Sequence, residues 1–107
     1  MNAAQTKTEQ ARLVERVLEL TQAISDAGQL ADWPRAARLA EERSPLVRAI
    51  TADQDAASLA LIRRIQAMNG TIVNEARQFE AGLTDEYNEA MGRARAAQQY
   101  TRVALYR

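Results

Sequence analysis

"DWPRAARLAEERSPLVRAI", residues 32–50, holds both prolines of this chain and its only tryptophan. Whether it is one helix or two fixes the fold. Asp32 is a good N-cap, and Pro34 falls in the first turn, where its missing N–H costs nothing. Ala36, Leu39, Arg43, Leu46 and Ile50 keep a three-four spacing straight across Pro45. A loop would normally reset that phase, so the spacing predicts one helix kinked at Pro45, although an interior proline costs about 3 kcal/mol. The rival reading makes Ser44 an N-cap and Pro45 the first residue of a new short helix. Trp33, just after a short connection, is expected to plug the end of a bundle.

Upstream, Leu13, Val17, Leu20, Ile24 and Ala27 form one apolar stripe, widened by Val14 and Leu18, and predict a helix over 8–27. Gly28 is placed as its left-handed cap. Downstream, "TADQ" at 51–54 has the form of a capping box, with Thr51 as N-cap, and predicts the start of a third helix. Leu61, Ile65, Met68, Ile72, Ala76, Phe79 and Leu83 continue one stripe, which Tyr87, Ala90, Ala94 and Ala97 extend. The stripe passes Asn69–Gly70 in phase, so Gly70 is placed inside the helix, at a close crossing. The competing arrangement is a four-helix bundle broken there. No run alternates with period two, so no strand is expected. The fold class is all-α: an antiparallel bundle of three main helices with a long third helix. It forms a single domain over 1–107, with a flexible N-terminus at 1–7 and a short tail at 100–107.

The composition narrows function. Acidic and basic residues balance at 14 each, which argues against nucleic acid as a partner. All the basic residues but Lys7 are arginine. There is no cysteine and no histidine, so the commonest general base and the commonest metal ligands are missing. Glu41–Glu42 and Asp85–Glu86 are adjacent on helices and point apart, so they are not acid–base dyads. Helical chorismate mutases use interior lysines and arginines, and Lys7 lies in the polar N-terminal segment. No catalytic, cofactor-binding or metal-binding residue is assigned. The polar start and the lack of a run of ~20 apolar residues predict a cytoplasmic protein without a membrane span.

The third helix is predicted to outrun the first two. Phe79, Leu83, Tyr87 and Met91 then lie on a stripe that the hairpin cannot cover, and such a stripe rarely stays bare. A folded-back tail, a second copy forming a homodimer, or a partner helix would cover it. A shorter third helix would make these residues ordinary core. Beyond Glu89 the chain carries Arg93, Arg95, Arg102 and Arg107 and no acidic residue. Tyr100, Val103 and Tyr106 add amphipathic area there. This basic end reads as a docking element for an acidic partner surface, or as a terminus whose tyrosines cap the bundle.

The segment "ADWPRAARLAEERSPLV" resembles one in FliT-type flagellar export chaperones: a tryptophan after a short loop, then leucines, then a glutamate–arginine pair. "RAAQQYTR" resembles their basic segment ending in a tyrosine beyond the long helix, and the helix layout is similar. The resemblance implies a cytoplasmic chaperone of flagellar type III export that uses no ATP. Such a chaperone holds the filament-cap protein, FliD, and delivers it to the export gate. Some members also touch the export ATPase or a flagellar master regulator. The resemblance implies that the chain beyond the long helix can fold back and mask the binding surface, and Tyr100 matches the tyrosine that takes part in docking to the export machinery. The brief tail here puts a full masking helix, and any regulator-binding role built on it, in doubt. A self-associating helical scaffold or regulatory interaction module is the alternative from another class.

Overall fold

A computed structural model describes residues 3–105, with side chains over 6–104. Three helices follow one another: α1 over Ala3–Gln29, α2 over Trp33–Arg48 and α3 over Ala56–Leu105. The all-α expectation holds among the described residues. The chain divides into two compact units, residues up to Ala76 and residues from Arg77 onward, and α3 contributes to both.

In the first unit α1 and α2 form an antiparallel hairpin. Its register runs from Gly28 against Trp33, through an Arg16–Glu42 ion pair of 3.3 Å, to Gln10 donating to the Ala49 carbonyl. The α1 stripe is the core, with Val14, Val17, Leu20, Ile24 and Ala27 all buried. Ile65 of α3 packs with Val14 and Val17, and Leu46, Ile50, Leu61 and Ile62 close round them. A second cluster joins Ile24, Ala27 and Ala36 with Trp33, Leu39, Ala40 and Ile72. Trp33 is therefore wall material at the hairpin end, as expected. Each such aliphatic side chain, fully buried, stabilises the fold by roughly 1.5–3 kcal/mol.

α2 runs unbroken through Pro45. Asp32 caps it, its carboxylate accepting from the Arg35 N–H at 3.3 Å. It ends at Arg48 rather than at Ile50, with Ala49 as C-cap. α3 likewise runs unbroken through Asn69–Gly70. Gly70 is not at a close crossing, because a Cβ there would meet open space.

Other boundaries differ from expectation for identifiable reasons. α1 begins at Ala3, ahead of the predicted Thr8. The left-handed residue that ends it is Ala31, with φ 56°, and not Gly28. The Asp32 N–H reaches the Ala27 carbonyl and the Ala31 N–H reaches Gly28, which is the Schellman pattern built on an alanine. Gly28 serves packing instead: a Cβ on it would lie 2.9 Å from the Trp33 ring. Thr51 does not start the third helix. Asp55 caps it, its carboxylate accepting from the Ser58 N–H at 2.7 Å. The predicted capping-box residues are occupied elsewhere. The Gln10 carbonyl oxygen takes both the Thr51 N–H and the Gln54 amide, which ties the connection to α1. At its far end α3 continues past Gln99 and through Tyr100, where a tail was expected.

Candidate binding surfaces

Every described residue from Arg77 to Ala104 is exposed. On this second unit Phe79, Leu83, Tyr87 and Met91 follow one another four residues apart. They expose 40%, 51%, 65% and 37% of their surface. Four-residue steps keep side chains on one flank of a helix, so the four make a continuous apolar strip. The alternative that these residues are ordinary core does not describe them. Tyr100 and Val103 are exposed as well, at 76% and 49%. Arg95, Gln98, Gln99 and Arg102 surround Val103 in a shallow depression. Arg93 meets Glu89 only at 4.0 Å and in solvent, an ion pair that contributes little. Tyr106 lies outside the described residues.

A second surface lies wholly within the first unit and was not anticipated. Ile24, Trp33, Ala36, Ala37, Ala40, Ile72 and Val73 line a shallow cavity of about 500 Å³, with Arg43 and Asn69 as its polar members. The alanines of α2 leave room there that larger side chains would fill. One Arg43 nitrogen donates to the Thr21 hydroxyl at 2.8 Å and to the Asn69 carbonyl at 2.7 Å. Thr21 is fully buried and donates in turn to the Val17 carbonyl at 2.7 Å. Burial lowers the Arg43 pKa from its ordinary value, yet a guanidinium stays charged at neutral pH. One cation thus ties α1, α2 and α3 together. The sequence did carry a signal for this: Arg43 occupies a position on an apolar stripe, and a charge there needs partners.

Among the described residues no group of three His, Cys, Asp or Glu side chains could hold a metal ion. Among them, too, no helix is long and apolar enough to cross a membrane. The arrangement offers apolar faces with a few fixed polar groups, which is the chemistry of a protein-binding helical module. A family model described as "Flagellar protein FliT" matches residues 11–102. The chain belongs to the FliT family of flagellar export chaperones. No curated protein and no solved structure matches it.

Proposed function

We propose that this chaperone holds the filament-cap protein, FliD, in the cytoplasm before export and delivers it to the export gate. It does so without catalysis, cofactor or metal, and without nucleic acid or membrane insertion. The strip formed by Phe79, Leu83, Tyr87 and Met91 receives an amphipathic segment of the client. The observation that carries this reading is the exposure of all four side chains at helical spacing. A helix-in-groove contact of this kind reaches micromolar affinity, about −8 kcal/mol, with no chemistry. Tyr100 and Val103, with Arg95 and Arg102 around them, form the docking element for the gate, and Tyr106 is assigned to it from the sequence. The export ATPase is a further partner of the same basic end. A second reading places the client in the cavity between Trp33 and Val73, which is apolar and has Arg43 to fix orientation.

Calorimetric titration with purified cap protein separates the two. Phe79→Ala with Leu83→Ala should weaken binding by more than about 1–2 kcal/mol, as loss of an interface anchor does. Ala40→Phe, which fills the cavity, should leave binding unchanged. The opposite pattern selects the cavity.

A further inference from the structure

Arg43 stands half-buried in the wall of the cavity beside Trp33. Among the described residues no carboxylate pairs with it. Burial lowers its pKa, and no acidic group offsets that effect. A cation withdrawn from water is normally paired. One terminal nitrogen, Nη1, is taken up by Thr21 and Asn69. Nε and Nη2 lie along the other edge of the guanidinium and donate to nothing among the described residues. That edge is a fork with the spacing of a carboxylate's two oxygens. The Asn69 amide nitrogen, whose companion oxygen is held by Arg43, is a further donor at the same end. The rest of the lining is apolar. Along α2 it passes from Trp33 over Ala36, Ala37 and Ala40 to Arg43, about 15 Å at the rise of a helix. Its volume of about 500 Å³ is that of a site for a small ligand.

We propose that this cavity binds a medium-chain fatty carboxylate. The Nε and Nη2 edge of Arg43 receives the carboxylate, the Asn69 amide donates to the same head, and the tail lies over the α2 alanines toward Trp33. An extended decanoate has the matching length. A single cation suits a singly charged head. A phosphate ester brings more charge than this site can pair. With the client held on the strip of the second unit, the cavity is left to a ligand of its own. Bound there, the ligand fastens α1, α2 and α3 where Arg43 already joins them, and it stabilises the first unit by mass action.

Trp33 is the only tryptophan and belongs to the wall, so its fluorescence reports the site directly. Titration with decanoate, below the concentration at which it forms micelles, should shift the emission and saturate. Decanol lacks the charge that the fork receives and should bind at least about tenfold more weakly. Arg43→Gln, checked for helical content, should bring the two ligands to equal affinity. Ala37→Leu alters an exposed position of the wall, keeps the charge, and should weaken both ligands at least about tenfold by filling the place of the tail. Saturating decanoate should raise the melting temperature of the unaltered chain and not that of Ala37→Leu. No saturable shift, or equal binding of acid and alcohol by the unaltered chain, overturns the assignment. Undiminished binding by Ala37→Leu puts the ligand elsewhere and overturns the site. Cap protein that expels decanoate even from a chain with Phe79→Ala and Leu83→Ala makes the cavity the client's, which overturns the small ligand and the strip together. Failure of decanoate alone leaves the strip as proposed.

Discussion

Arg43 shows how a charged residue on an apolar stripe can be central to packing. Its position on the α2 stripe predicted an inward direction, and the structure places it there with two partners on two other helices. Replacing it with methionine keeps the stem but removes a charged donor from Thr21 and Asn69. The expected cost is about 1.5–3 kcal/mol of folding stability, measured by denaturant unfolding. A value near zero would mean that solvent already serves these groups. Gly28 carries the converse lesson. Glycine at a helix end suggests a left-handed cap, yet Ala31 takes that conformation. The indole of Trp33 needs the space at Gly28, and nothing in local propensity distinguishes a glycine kept for conformation from one kept for a neighbour.

At the level of elements, the faces of all three helices were legible because burial follows period. Val14 to Ala27 on α1 and Leu61 to Ala76 on α3 are the packed faces that the spacing marks. Continuity through Pro45 was legible for the same reason. Where α3 begins was not. Thr51 and Asp55 both precede a plausible partner by three residues, and the choice is made by Gln10, which lies forty-one residues before Thr51 and engages it and Gln54. The Asp55 cap carries a pH dependence. The Ser58 backbone N–H, then the Ser58 hydroxyl and the charge of Lys7, hold the Asp55 carboxyl below its ordinary value. A lowered pKa in the folded state contributes stability that is present above the unfolded value and lost as pH falls through the folded one. Below about pH 4 the stability should therefore decline. Asn caps about as well as Asp and does not titrate. Thermal melts from pH 6 down to pH 2 should show a smaller acid-side loss for Asp55→Asn than for the unaltered chain. Parallel losses would place the acid sensitivity elsewhere.

Across the whole molecule the division of labour is between a first unit with a core and a second unit whose described residues, Arg77 to Ala104, are all exposed. The strip and the basic end were visible in sequence as an apolar stripe longer than its cover and as arginines unmatched by acids after Glu89. The cavity beside Trp33 was not, since it arises from three helices meeting around small residues. The proposed gate contact makes its own demand. Tyr100→Ala, and a chain ending at Gln99, should lose binding to the export gate in a pull-down while keeping cap-protein binding and helical content. Gate binding unchanged in both would leave the end of α3 without that role. For client holding, the most direct measurement is hydrogen–deuterium exchange of the chain with and without saturating cap protein. The expected result is slowed exchange concentrated between Phe79 and Met91, with α1 and α2 little changed. Protection confined to residues around Trp33 and Ile72, or none anywhere while the complex is formed, would contradict it.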